Sequence, residues 1–525
     1  MITRREFLEG SLATLMLLSL NRLSFSMDTE EVFPQGVASA DPTHTGAILW
    51  TRINPKVHER MKKDLILQIS EDMDFKRLVF SGRLPWDRIS SKDDHTVRID
   101  MEGKLQPGRT YYYRFVYADV PSMIGRLKTL PEEAQDISIA FATCQNYADG
   151  YFTAYRHMAQ EDLQLVVHLG DFIYEKIYGP PRVAGRLLEL PSGSNIVQNL
   201  EDYRYLYRTY LSDPDIRLAR AMHTFVHTWD DHEFLNDYYY NYQREYWIGD
   251  YPIREREKLL QLRLDSIKAW LEYIPARVKT NFQNRDPLLW ITIYRDFKIG
   301  SLAHLIMTDG RSYRDKQPCR GKYGAPGCAE QYRTTMLGQD QLRWFLKKLK
   351  EDKFVWKVWG NDVQFSQSLV DGKFGSLDAW DGYAGERQKI LDFLKREGMK
   401  NLLISTGDRH ATFIAEIPDS YQEPKEVLGA EFMTPAISSV NSKEMGWWKR
   451  NWPNYTSIEE VERAEMLQNP WIKHLNMKNW GYSVLNLNRD RARVIVYTVN
   501  KYRKDAPKEV DAEFVYTYGR LEKYG

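Results

Sequence analysis

Short apolar runs that stop at acidic, amide or thiol side chains recur along this chain. Ile137-Ser138-Ile139-Ala140-Phe141-Ala142-Thr143 runs into Cys144-Gln145-Asn146, and Leu163-Gln164-Leu165-Val166-Val167-His168-Leu169 into Gly170-Asp171 with Tyr174 three residues on. His223 to Trp229 ends in Asp230-Asp231-His232-Glu233, and Leu305 to Thr308 in Asp309-Gly310-Arg311. Phe354 to Trp359 ends in Gly360-Asn361-Asp362, and Leu402 to Ser405 in Thr406-Gly407-Asp408-Arg409-His410. A short apolar run bounded by turn residues predicts a buried strand. Between them, Phe152 to Leu163 reads as helix, and Leu342, Phe345, Leu346 and Leu349 share one helix face. Ile390, Leu391, Phe393 and Leu394 predict another helix, closed by Gly398. This alternation predicts an α/β layered sheet with helices outside. Ligands gather beyond the carboxyl ends of strands in open α/β sheets, so the strand ends predict one shared site at one rim.

Upstream, Phe33 to Leu130 reads as all-β, with short strand-like runs among which are Leu65 to Ser70, His95 to Asp100 and Thr110 to Tyr117, punctuated by turn residues. They predict a small N-terminal β-sandwich. The expected division is 1–26 as a leader segment, 27–130 as the sandwich and 137–525 as the α/β domain that carries the strand-end site, with a helical insertion at about 180–290 around Leu259, Leu260, Ile267 and Leu271. Tyr482 to Leu487 and Ala492 to Val499 predict a hairpin. Thr3-Arg4-Arg5-Glu6-Phe7-Leu8, a modest apolar stretch to Leu20 and Ser24-Phe25-Ser26 read as a twin-arginine export signal. No later stretch is long and apolar enough to span a membrane. With 73 basic and 72 acidic residues the chain has no general attraction to nucleic acid. Of three cysteines, Cys319 and Cys328 flank a Gly/Pro-rich loop, where a disulfide suits an exported protein. Cys144 is left over, as core filler or ligand.

Hard oxygen ligands suit highly charged cations, and a tyrosinate needs a strong Lewis acid such as ferric iron. Asp171 and Tyr174, three apart, can face one centre if the chain turns after Gly170, and Cys144 would add soft character. Asp231 and Asn236 offer oxygens of a kind calcium accepts, and Asp408 and His410 alternate to one side of an extended segment. Singly, Asp408-Arg409-His410 reads as a loop ion pair and Asp230-Asp231 as a helix cap; their joint placement at strand ends favours a site. Arg311 could hold an anion with its planar fork and Asn361 orient a second phosphate oxygen, which suits metal-assisted phosphoryl transfer to water. A phosphocysteine mechanism would want Arg where Gly150 stands, and no nucleophile elbow, Walker loop or dinucleotide fingerprint has a convincing context.

Phe33 to Pro42, Ala142-Thr143-Cys144-Gln145, His168 to Glu175, Trp229 to Glu233, Thr308 to Arg314, Trp359 to Asp362 and Ser405 to His410 together resemble the alkaline phosphatase D (PhoD) family. The resemblance implies a β-sandwich followed by a metallophosphatase αββα domain, and an exported phosphohydrolase of periplasm or medium that uses ferric iron and two calcium ions. Carried over by motif, Cys144, Asp171, Tyr174 and His410 would ligate iron, and Asp171, Asp231, Asn236 and Asp408 calcium. Asp171, Arg311, Asn361 and His410 are the catalytic candidates; Arg311, Asn361 and Arg409 would contact a small phosphate-ester substrate. Arg409 stands where the family pattern has a smaller residue. A phosphodiesterase or phospholipase D-like enzyme using the same residues, and an exported non-enzymatic metal- or phosphate-binding protein, remain the alternatives.

Overall fold

The structure, a computed structural model, describes residues 8–9, 27–239, 255–319, 323–351 and 353–524. The proposed export signal lies outside the described residues, apart from Leu8–Glu9, which pairs with Gly82 and Arg83.

Two large sheets lie face to face. In a ten-stranded sheet, Ile137–Ala142, Leu165–His168, Thr224–His227 and Val37–Ala40 run parallel. The antiparallel strands Gly481–Leu487, Ala492–Val499 and Lys508–Thr517 extend one side, and the first two form the expected hairpin. In a seven-stranded sheet, Ala303–Met307, Trp356–Gly360, Leu402–Thr406 and Val427–Met433 run parallel. Side chains alternate along each strand. Ile139, Phe141, Leu165 and Val167 therefore face Leu305, Val358, Leu403 and Phe432 between the sheets. Ala140 and Val166 turn outward to helices Leu200–Tyr210, Pro214–Met222 and Arg256–Tyr273 through Leu206, Ile216 and Trp270. Ile306, Trp359 and Ile404 likewise meet helices Gly338–Leu349, Ala384–Arg396 and Ile458–Gln468 through Phe345, Ile390 and Val461. Apolar on both faces, the central strands read as unbroken hydrophobic runs, and the layering is helix, sheet, sheet, helix. No described helix is long and apolar enough to cross a membrane.

Two expectations need revision. The helix expected over Phe152 to Leu163 is only Thr153–Met158. The N-terminal β-region is not self-contained. Leu65–Ser70, Leu78–Leu84, Thr110–Tyr117 and Gly125–Lys128 make one layer, packed through Leu67, Ile69 and Tyr113 on Leu49 and Val97. The opposing strands Val37–Ala40, Ile48–Arg52 and Thr96–Asp100 continue the ten-stranded sheet, with Ser39 paired to Thr224. Cys319 and Cys328 are disulfide-bonded.

Asp94 fastens the N-terminal strands to the helical insertion. It accepts from Arg52 Nη2 at 2.9 Å, from Arg208 Nη1 at 3.0 Å and from the Tyr273 hydroxyl. Burial pushes its pKa up, but the Arg52 hydrogen bond and charge, Tyr273 and Arg208 outweigh it and hold the carboxyl at about 2. This stabilisation is present above the unfolded-state value and is lost as pH falls toward about 2. Asp94→Asn is expected to lower the unfolding free energy at pH 7 by about 2–3 kcal/mol. In urea titrations the gap should hold from pH 7 to 5 and shrink by pH 3; a gap unchanged at pH 3 would contradict the assignment.

Candidate active site

The carboxyl ends of the two sheets converge. Cys144 follows Ile137–Ala142, Asp171 follows Leu165–His168, Asp230 and Asp231 follow Thr224–His227, and Asp408 and His410 follow Leu402–Thr406. Cys144, Asp171, Asp408 and His410 all adopt left-handed backbone, with φ of 55°, 55°, 64° and 56°. Each such residue costs about 1–3 kcal/mol and persists only where its surroundings dictate it. Gly170 (φ 106°) is forced: a Cβ there would lie 2.3 Å from the Asp230 nitrogen, because the two strand ends nearly touch.

The Cys144 thiol donates to Asp171 Oδ2 at 3.3 Å and the Tyr174 hydroxyl to the same oxygen at 3.1 Å. The Tyr174 hydroxyl also lies 3.2 Å from His410 Nε2 and accepts from Ser439 Oγ at 2.7 Å. The other His410 nitrogen meets the Val440 carbonyl. The His232 ring packs tilted against Tyr174 with centroids 4.1 Å apart, its backbone nitrogen donates to Asp171 Oδ1 at 3.4 Å, and its Nδ1 contacts Glu175 at 2.6 Å. Glu233 holds the turn together, accepting from the backbone nitrogens of Asp171, Phe172 and Asp230 at 2.8–3.0 Å. Asn236 donates its amide to Asp237 and, with Tyr174, His232 and His410, lines a cleft of about 1010 Å³.

Arg311 departs from the expected role. Its guanidinium is wholly enclosed and meets Asp230, Asp378 and Asp408, with Asp231 3.6 Å away. A fork surrounded by carboxylates binds them rather than a substrate anion, so its direct role is positional. Asn361 is also enclosed, donating to the Val363 carbonyl and accepting from Trp380. Arg409, expected at the phosphate, forms a bidentate pair with Glu465 at 2.7 and 2.6 Å.

The centre is overloaded with acids. Burial pushes up the pKa values of Cys144, Asp171, Tyr174 and Asp408, and their acidic neighbours push them further. Asp230 sits at about 6, raised by burial against the pull of Arg311. Asp230 Oδ2 and Asp231 Oδ1 are buried without a hydrogen-bond partner. Ligand atoms of Cys144, Asp171 and His410 lie within 4.8 Å of one another, as do those of Asp171, Asp231 and His232, and of Asp230, Asp231 and Asp408. Such donors fit cations, which would supply the positive charge that buried carboxylates require. Asp231 joins three of the four such clusters among the described residues and Asp230 one. Thus the structure brings together Cys144, Asp171, Tyr174, His410, Asp231 and Asp408, with Asn236 at the cleft wall.

Residues 139–496 match the family model described as PhoD-like phosphatase, and residues 22–131 match the N-terminal domain of PhoD-like phosphatases. The chain belongs to the PhoD-like phosphatase family. It is 31% identical over 423 residues to alkaline phosphatase D of Bacillus subtilis (strain 168), covering 78% of this chain and 69% of that protein. A solved structure of PhoD superposes with a TM-score of 0.81 at 28% identity, covering 96% of this chain and 94% of that one. The protein is therefore a phosphoric ester hydrolase, which sets aside a purely binding role.

Gly170→Ala is expected to destabilise the fold by about 2–4 kcal/mol, combining left-handed strain with the clash at Asp230. Activity should fall with it. Thermal unfolding and ester hydrolysis check this, and a variant of wild-type stability would contradict the close approach.

Proposed function

We propose that this phosphohydrolase is exported and metal-dependent, with Cys144, Asp171, Tyr174 and His410 holding iron and Asp171, Asp231, Asn236 and Asp408 holding calcium. The observation that carries the reading is the buried triple of Cys144, Asp171 and His410, whose ligand atoms lie within 4.8 Å of one another, with the Tyr174 hydroxyl 3.1 Å from Asp171 and 3.2 Å from His410; a phenol and a thiol together suit ferric iron. The cations would supply Lewis acidity toward the ester oxygens and a more acidic water. The chain's own part is to hold the donors in place: Glu233 fixes the Asp171 turn, Ser439 orients the Tyr174 hydroxyl, and Arg311 spaces Asp230, Asp231 and Asp408. Asp171 lies between the two groups and would be shared. His232 faces the cleft beside Asp171 and is suited to meet a phosphate oxygen. Phosphate monoesters are the first substrates proposed, and diesters the second.

Asp171→Ala is expected to lower kcat/KM for a chromogenic phosphomonoester by about three orders of magnitude or more, together with the iron and calcium found by elemental analysis. A phosphodiester assayed on the same sample ranks the two substrate classes. Full activity in the variant, or an active wild type free of metal, would defeat the proposal.

Export rests on the Thr3 to Leu8 pattern, and the Cys319–Cys328 disulfide suits an oxidising compartment. Replacing Arg4 and Arg5 with Lys should leave the protein in the cytoplasm on fractionation of the expressing cells. Unchanged export of that variant would show that another route is used.

A further inference from the structure

A second cavity, of about 70 Å³, adjoins the catalytic cleft. Tyr323, His410, Met445, Trp447 and Asn451 line both spaces, so the two meet at His410, and Asp408 borders the smaller one. Beyond that junction the chemistry changes from acidic to aromatic, with Trp448, Trp452, Met477 and Val461 on the wall. The charged pair there, Arg409 and Glu465, is internally neutralised by its bidentate contact, so the space attracts no second phosphate.

Three observations indicate a ligand. Trp447 is 41% exposed in a protein that buries most of its tryptophans. An exposed indole at a concave, apolar site marks a recognition surface. Tyr323 packs against it with centroids 4.6 Å apart, and the disulfide between Cys319 and Cys328 brackets Tyr323. Its strand, Tyr323–Ala325, is further held by pairing to Lys373–Ser376. Finally, Trp448 lines the cavity and is 7% exposed, and its Nε1–H is buried without an acceptor. Leaving such a donor unmet costs about 1–3 kcal/mol.

We propose that the mouth of this cavity, where it opens to the cleft, is the leaving-group subsite, and that Trp447 and Tyr323, in contact with each other, form one aromatic wall against an uncharged aromatic group carried by the alcohol of the ester. The assignment rests on the hydrolytic reading of the adjoining centre. Phosphate sits at the cleft side of His410 and the ring at the tryptophan side. The enzyme then favours phosphate esters of flat aromatic alcohols over small aliphatic ones of like reactivity. The two thioethers, Met445 and Met477, adapt the wall to different ring shapes.

The test compares 2-phenylethyl phosphate with ethyl phosphate, whose leaving alkoxides are similar in reactivity. The wild type is expected to show kcat/KM higher by roughly tenfold or more for the aromatic ester. Trp447→Ala and Tyr323→Leu should bring the ratio toward one, while Trp447→Phe retains most of it. Titration calorimetry with 2-phenylethylphosphonate and ethylphosphonate gives the same comparison without turnover. A binding preference that persists when neither ester is hydrolysed supports the subsite and counts only against the hydrolytic centre. A wild-type ratio within twofold of one in both measurements, or ratios unchanged in both Trp447→Ala and Tyr323→Leu, would overturn the proposal.

Discussion

Enclosing several carboxylates at one point is the constraint on which the rest of this structure depends. Asp171, Asp230, Asp231, Asp378 and Asp408 crowd the rim where the parallel strands of two mixed sheets end, with a thiol and a phenol among them. Buried charge without compensation costs several kcal/mol per group. Arg311 supplies one compensating charge and is met by four of these acids. Arg314 pairs with the Asp378 carboxylate at 3.0 Å and Gln317 donates to it. The acids that Arg311 does not neutralise, with the unpartnered oxygens of Asp230 and Asp231, mark where cations would fit.

The scaffold around this charge is correspondingly stiff. Apolar strands packed on both faces fix the positions of their ends, and four site residues accept left-handed backbone that only such rigidity sustains. Backbone-directed carboxylates do the fine positioning. Glu233 gathers three nitrogens from two strand ends, and Glu431, on a strand of the second sheet, accepts from the backbone nitrogens of Phe365 and Ser366 in the loop beyond Trp356–Gly360. The N-terminal strands contribute by continuing the larger sheet, and Asp41 is tied to Arg295 at 2.7 Å. The β-region is thereby an abutment of the catalytic layer rather than an appended module.

Much of this was legible in the sequence, because a strand buried on both faces writes an unbroken apolar run and its end writes a polar stop. The positions of Cys144, Asp171, Tyr174, Asp231, Asp408 and His410 at one rim follow from that grammar. The partners of the arginines do not. Arg311 and Arg409 look like phosphate contacts in one dimension, yet Asp378 and Glu465 capture them from 67 and 56 residues away. Ser439 follows a further parallel strand, Val427–Met433, whose end is rich in Ser, Thr and Pro and lacks an acidic stop. Glu233 was visible within Asp230-Asp231-His232-Glu233, but its service to the backbone of Asp171 requires the fold. The helix expected to reach Leu163 stops at Met158, where Gln160 to Asp162 and the entry to the next strand take over.

Anomalous diffraction from crystals of the purified, reconstituted protein, collected at the iron edge and below it, tests the central claim most directly. The account predicts an iron peak bounded by Cys144, Asp171, Tyr174 and His410, and lighter density on the side of Asp231 and Asp408. A hydrolytically active crystal with no anomalous peak there, or with the metal bound elsewhere, would contradict it.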